Sequence, residues 1–309
     1  MDDSTVLVLA NPAEPLLAML DALPDNTRIA AGNRVEAFAN AAPEADVILN
    51  WDGSRELLQQ VWRMAPRVHW VHSRAAGLDD QLFPELAESP VPLTNARGVF
   101  SDILGEFVIG AVLFFAKGFR RMIRSQEAGV WDQFDTIAVA GQTMGVIGFG
   151  DIGKAAARRA EAMGMHVLPL RRGTGPQGKL DMLARSDYVL LSAPLTPETR
   201  GIVGAPELRA MRPGAVLINV GRGPLVDETA LIAALREKRI GGAALDVFDQ
   251  EPLPTGHPFY ALDNLLLSPH SADHTPDWKQ RAMQVFLDNF ELYRQGKPLR
   301  NVVDKGRGY

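Results

Sequence analysis

The chain has 309 residues, about twice the roughly 150 of an average domain, so two domains are expected. Its 46% hydrophobic and 22% charged residues form an ordinary globular balance and exclude a disordered or low-complexity protein. A formal net charge of -5 argues against coating nucleic acid or a membrane surface, and the absence of cysteine excludes a disulfide scaffold, a thiolate metal site, an iron–sulfur cluster and a cysteine nucleophile.

Short apolar runs alternate with longer amphipathic stretches, the pattern of βα units on a mostly parallel sheet. From the acidic start, Met-Asp-Asp-Ser-Thr, no secretory signal is expected. In the first third, strands are expected over residues 5–10, 46–49, 68–71 and 91–94. Between the second and third, residues 54–64 space Leu57, Leu58, Val61 and Met64 at helical intervals behind Ser54 as N-cap. Residues 84–92, with Pro84, Pro90 and Pro92, read as a connection. One long helix is expected over residues 101–125, apolar at first and basic at its end through Lys117, Arg120, Arg121 and Arg124. It is either a core helix or a subunit interface, and its basic end reads as solvated. The apolar run from Phe107 to Ala116 is too short to span a bilayer; with the acidic balance, neither a membrane nor a nucleic-acid partner is expected, and the location reads as cytoplasmic. Beyond it, strands are expected at 144–147, 166–170, 188–192, 215–219, 242–245 and 265–267. Helices are expected at 152–163, 205–211, 228–236 and 276–295, before a short tail.

The segment Gly145-Val-Ile-Gly148-Phe-Gly150-Asp151-Ile152-Gly153-Lys154 sets Gly-x-Gly-x-x-Gly between a strand and a helix. Gly148 permits the tight turn, Gly150 admits a pyrophosphate to the backbone, and Gly153 lets helix and strand pack closely. The helix N-terminus offers unpaired N–H groups and positive dipole to the phosphates. With a second strand at 166–170, this reads as a dinucleotide site. Where an NAD site places an acid, this chain has Arg171 and then Arg172. A guanidinium cannot accept a bond from a ribose hydroxyl but can clamp a 2′-phosphate, so NADP (as NADPH) is expected over NAD.

Three further segments each end a strand and carry one reactive group: Arg222 in Asn219-Val-Gly-Arg-Gly, Glu251 after Leu245-Asp246, and His270 in Ser268-Pro-His. Loops that follow strand C-termini of an open parallel sheet converge, so the three can meet. Arginine would bind a carboxylate and polarise a carbonyl, histidine would supply a proton, and glutamate would raise the histidine pKa. That set suits reduction of a 2-oxo acid.

At these residues the sequence resembles the D-isomer-specific 2-hydroxyacid dehydrogenase family, over nearly the whole chain and most specifically from residue 144 to about 278. The resemblance rests on the glycine fingerprint, Ala193-Pro-Leu-Thr-Pro-Glu-Thr199, Gly221-Arg222-Gly223, Asp246 with Glu251-Pro252, and Pro269-His270. It implies an α/β protein with a Rossmann dinucleotide-binding domain (residues 99–276) inserted into a smaller flavodoxin-like α/β substrate domain (residues 1–98 and 277–309). It implies Arg222, Glu251 and His270 as catalytic residues. Cofactor contacts would come from Gly148, Gly150, Asp151, Ile152, Gly153, Arg171, Arg172, Ala193, Pro194, Thr199, Val220, Gly221, Asp246 and Asp273, with Asp246 on the nicotinamide carboxamide. Trp70 to Asp79 looks like the family's substrate loop, in which the Ala76 and Gly77 N–H groups grip a carboxylate and Arg74 adds a cation. Arg74 would favour a second anionic group or pair with a surface acid. That loop and the tail from Asn301 to Tyr309 look most like the NADPH-dependent glyoxylate/hydroxypyruvate reductase branch, whose product would be the (R)-2-hydroxy acid. The stretch from Arg172 to Leu180 is shorter than the family pattern, which would leave the adenine side more open.

Other readings compete residue by residue. Of six histidines only His270 is expected to act. His72 is a weaker candidate for substrate contact, and no metal site is expected at His270, Asp273 and His274. Trp51 would line the substrate site or sit in the core. Trp131 would pack an interdomain or subunit contact, and a homodimer is expected. The alternatives are a dehydrogenase for a bulkier or phosphorylated 2-hydroxy acid, and a non-catalytic dinucleotide sensor, which the intact Arg–Glu–His set disfavours.

Overall fold

The apolar runs fold as two parallel sheets in the computed structural model, which describes residues 3–79 and 81–307. Two compact units result. One takes the chain up to Val99 together with Thr275 onward, and the other takes Phe100–His274.

In the first unit, β1 (Ser4–Leu9), β2 (Thr27–Gly32), β3 (Val47–Asn50), β4 (Trp70–Ser73) and β5 (Leu93–Asn95) lie in the order β2-β1-β3-β4-β5. Helix α1 (Arg55–Met64) starts where Ser54 accepts a hydrogen bond from the Leu57 N–H, as its spacing predicts. Pro84 opens a short helix, α2 (Pro84–Glu88), where an irregular connection was expected. The edge strand β2 goes unread in the sequence because Thr-Arg-Ile-Ala-Ala-Gly has only Thr27 and Ile29 as β-formers, followed by two alanines and a glycine, with no alternation of apolar and polar residues. Leu7, Leu9, Ile48, Val71 and Leu93 pack with Phe38, Leu58, Val61 and Phe83 in one core. On Trp70 and His72 of β4 lies the C-terminal helix, Trp278–Arg294, with Phe286 stacked on Trp70 at 5.2 Å.

The second unit begins with α3 (Ser101–Ala116) and α4 (Phe119–Glu127). The single helix expected over 101–125 is thus two. Gly118 takes a left-handed conformation, φ 65°, and turns the chain between them. The basic end is likewise not simply solvated. Arg121 makes two hydrogen bonds to Asp132, at 2.5 and 2.7 Å, and Arg120 donates to the Leu265 carbonyl. The remaining elements are β6 (Thr143–Ile147), α5 (Asp151–Ala162), β7 (His166–Leu170), α6 (Pro176–Arg185), β8 (Tyr188–Leu191), α7 (Ala205–Ala210), β9 (Val216–Asn219), α8 (Glu228–Arg236), β10 (Gly242–Leu245) and β11 (Leu265–Leu267). The sheet order is β11-β10-β9-β8-β6-β7. Helix α3 is a core helix that packs on α5, where a methyl at Gly105 would come within 3.1 Å of the Ala155 carbonyl carbon. Helix α6 follows the Gly-Thr-Gly-Pro turn that reads as loop in the sequence.

Candidate active site

In the second unit the parallel register aligns the strand ends. Leu170 pairs with Ile147, Ile147 with Leu191, Leu191 with Asn219, Asn219 with Leu245, and Leu245 with Leu267. Each is the last residue of its strand. Gly148, Arg171, Ala193, Val220 to Arg222, Asp246 and His270 therefore all lie beyond one edge of one sheet. The order reverses between β6 and β8, which makes that edge a topological switch point.

The loop after β6 fits a dinucleotide. Gly148 has φ 95°, and a methyl there would run into the Ala193 backbone, while Ser192 Oγ donates to the Gly148 carbonyl at 2.7 Å. A methyl on Gly153 would strike that same carbonyl, which holds α5 close to the turn. Gly150 differs, with open space where its Cβ would stand. This leaves room for a phosphate at the N-terminus of a 12-residue helix that Asp151 and Ile152 open. Arg171 and Arg172 follow β7 and are both exposed. In the loop after β8, the Thr199 hydroxyl donates to the Pro194 carbonyl at 2.7 Å and accepts from the Thr196 N–H at 2.8 Å. Thr199 thus shapes the 193–199 loop from within.

Arg222 is half-buried at the end of β9. The buried Asn219 accepts from the Gly221 N–H (3.1 Å) and donates to the Arg222 carbonyl (2.9 Å), fixing the backbone on both sides of Val220 and Gly221. Nη1 of Arg222 donates to the Gly221 carbonyl at 2.8 Å. Gly223 lies against the Phe248 carbonyl with no space for a side chain, bringing the loops after β9 and β10 together. Asp246 is 2% exposed, and its Oδ1 accepts from Ser268 Oγ (2.6 Å), Ser271 N–H (3.0 Å) and Ala272 N–H (3.1 Å). It thereby bridges β10 to the loop that carries His270.

His270 has φ 51°, a left-handed conformation rare for a side chain of this size. Its Nδ1 sits 2.5 Å from Glu251 Oε2, and Glu251 Oε1 accepts from the Phe248 N–H at 2.9 Å. The hydrogen bond to Glu251 raises the His270 pKa above its usual 6.5. Burial opposes this, the Glu251 and Asp246 charges add to it, and Arg222 works against it. Burial pushes Glu251 upward, but the bonds from His270 and the Phe248 N–H, with the nearby cations, leave its pKa below normal. With Nδ1–H donated to Glu251, Nε2 is the atom that carries or accepts a mobile proton. Burial is also the main influence on Asp273, beside His274 at 3.6 Å, and raises its pKa.

The expected substrate loop lies in the first unit. Arg74 pairs with Asp52 at 2.7 Å, and its guanidinium stands 5.1 Å from the ring centres of both Trp51 and Trp278. Of the two readings of Arg74, a neighbouring acid is what it meets. Trp51 is 2% exposed and His72 fully buried. His72 Nδ1 lies 2.7 Å from Thr94 Oγ1, and burial drives its pKa down to about 3, so the structure puts it in packing. Ala76 and Gly77 are half-buried. The tail from Asn301 ends on Gly308 and Tyr309, which lie outside the described residues.

Residues 109–272 match the NAD binding domain of the D-isomer specific 2-hydroxyacid dehydrogenase family. The chain belongs to that family. It is 32% identical to a glyoxylate reductase of Aeropyrum pernix, with 87% of this chain and 86% of the relative covered. A D-isomer specific 2-hydroxyacid dehydrogenase of Xanthobacter autotrophicus, solved with NADPH and MES, superposes with a TM-score of 0.83 at 30% identity over all of both chains. An NADPH-dependent glyoxylate/hydroxypyruvate reductase of Sinorhizobium meliloti, solved with NADP and sulfate, gives 0.84 at 27% identity, covering 99% of this chain and 100% of that one. As a family member the chain is an oxidoreductase of 2-hydroxy acids that uses a nicotinamide dinucleotide.

Sequence reading placed Asn219 and Ser268 in motifs without giving them a role, and it missed Asn95. Each is a polar residue at or just after a strand end, and the signal available was an apolar run closing on Asn or Ser.

Proposed function

We propose that this 2-hydroxyacid dehydrogenase reduces a small 2-oxo acid of the glyoxylate or hydroxypyruvate type to the (R)-2-hydroxy acid with NADPH, in the cytoplasm. The observation that carries the reading is the 2.5 Å contact between His270 Nδ1 and Glu251, within electrostatic reach of Arg222. The dinucleotide, when bound, supplies hydride to the carbonyl carbon. Arg222 binds the carboxylate and polarises the carbonyl toward oxyanion character. His270, protonated on both nitrogens, gives its Nε2 proton to that oxygen, while Glu251 holds Nδ1–H and stabilises the imidazolium until the proton leaves. Asp246, with one oxygen committed to the 268–272 loop, keeps its second for the carboxamide side. Arg171 and Arg172 would face the 2′-phosphate and favour NADPH.

The exposed apolar residues of 119–137 support a homodimer. Phe119, Met122 and Ile123 share a face of α4, which buries none of its residues, and Trp131 is 90% exposed. A steady-state panel of 2-oxo acids with NADPH and with NADH tests the function. Preference for glyoxylate or hydroxypyruvate with NADPH is expected, and faster turnover of a bulky or phosphorylated acid would refute the substrate assignment.

A further inference from the structure

We infer that Asn95 is the positioning residue that turns the backbone of residues 75–77 into an anion-binding nest. The inference rests on the proposed reduction of a 2-oxo acid. Asn95, 4% exposed at the end of β5, donates from Nδ2 to the Ala76 carbonyl at 2.6 Å. The next residue, Ala96, donates its N–H to the Ala75 carbonyl at 3.3 Å. Both peptides are trans. In a trans peptide the N–H points opposite to the C=O. With both carbonyls turned onto 95–96, the N–H groups of Ala76 and Gly77 must point away from that segment. Among the described residues neither meets a protein acceptor. Two adjacent N–H groups facing one way in a half-buried loop form a concavity for a carboxylate oxygen.

The lock is itself held. Asn95 Oδ1 accepts from the Arg97 N–H at 3.2 Å. Asn301 donates from Nδ2 to the carbonyls of Asn95 (3.2 Å) and Arg97 (2.8 Å), and its own carbonyl accepts from the Asn95 N–H (3.3 Å). On the loop's other side, Ser73 Oγ accepts from the Ala75 N–H at 3.1 Å and donates to Gln81 at 2.7 Å. An apolar residue at 95 would leave the Ala76 carbonyl without its donor and let the 76–77 peptide rotate.

Asn95→Asp tests this. It keeps the acceptor for Arg97 but replaces the donor with a carboxylate that repels the Ala76 carbonyl. The expected result is a rise in KM for the 2-oxo acid of roughly 10- to 100-fold, as for loss of binding shared by ground and transition states. The affinity for oxalate, an unreactive dicarboxylate probe, should weaken in parallel by calorimetry. The kcat at saturation should hold within about threefold, and the KM for NADPH should not move. Unchanged KM and oxalate affinity in the folded variant, or a fall in kcat alone with the melting temperature, would overturn the inference. Should Asn95→Asp fail to fold, Asn301→Gly, which tolerates the 57° φ of that residue, removes the support alone. It should raise KM by a smaller factor, and an unchanged KM there overturns the inference. Absence of any 2-oxo acid reduction by the native enzyme would instead sink the proposed function.

Discussion

Replacing Glu251 by glutamine separates orientation of His270 from stabilisation of its charge. The amide keeps the length of the side chain, and its one oxygen can still accept from His270 Nδ1–H in exchange for the Phe248 N–H bond, but the anion 2.5 Å from Nδ1 is gone. A hydrogen bond to a charged group contributes about 1.5–3 kcal/mol, whereas an exposed ion pair gives about 0.2–1 kcal/mol. His270 and Glu251 keep 45% and 34% side-chain exposure, so about 1–2 kcal/mol is the discounted figure. That makes the imidazolium roughly 5- to 30-fold harder to maintain. The sign follows from His270 being a base whose pKa Glu251 raises. The native reductive kcat stays high while His270 is protonated and falls as pH rises through the raised value. In Glu251→Gln the fall begins at lower pH. The ratio of native to variant kcat, measured at saturating substrate and cofactor, should therefore be small in acid and climb to roughly 5–30 toward mild alkali. A solvent deuterium effect on both enzymes checks that proton transfer limits the rate. A ratio constant across the pH range would show that Glu251 only orients the ring, and the charge argument would fail.

Arg171→Asp should lower kcat/KM for NADPH by roughly 10- to 100-fold, the worth of a charge-assisted contact, while NADH is spared; equal losses with both cofactors would remove the phosphate clamp. Acid stability should depend on His72, whose folded pKa of about 3 lies below the unfolded 6.5. The unfolded chain then binds the extra proton, so stability is whole above pH 6.5 and is lost between 6.5 and 3, the loss reaching about 2–3 kcal/mol near pH 4.5. Denaturant unfolding of His72→Asn should converge on the native curve as pH falls, and parallel pH dependences would contradict the burial argument. Trp131→Asp should shift a sedimenting dimer toward monomer; an unaltered dimer would place the interface elsewhere.

What the sequence disclosed depended on how local each signal was. Strands β7, β10 and β11 and helix α8 lie where periodicity places them, because their apolar runs end at turn residues. The glycine fingerprint was legible because its spacing is local, although the clash that Gly148 avoids lies with the distant Ala193 backbone. By contrast, β2 is held by its partner β1 rather than by its own residues, and α6 hides behind a Gly/Pro turn. The break at Gly118 was masked because helix-compatible residues continue on both sides, apolar before it and largely basic after it. The Arg–Glu–His set could be named from three loop motifs, but the left-handed backbone at His270 and the bridging role of Asp246 arise from contacts across the sheet edge, which no linear pattern encodes.

The insertion of residues 100–274 within the other unit has a consequence for synthesis on the ribosome. The first five strands emerge early, yet the helix bearing Phe286 and Phe290, which covers Trp70, comes after the 175 intervening residues. At translation speeds of roughly 5–20 residues per second, one face of that nascent sheet waits about 10–35 seconds for its cover. The inserted unit is complete within one continuous stretch and finishes first. Vectorial folding of this enzyme thus runs from the middle outward, and the interval before the last helix arrives is when the growing chain is most open to misassociation.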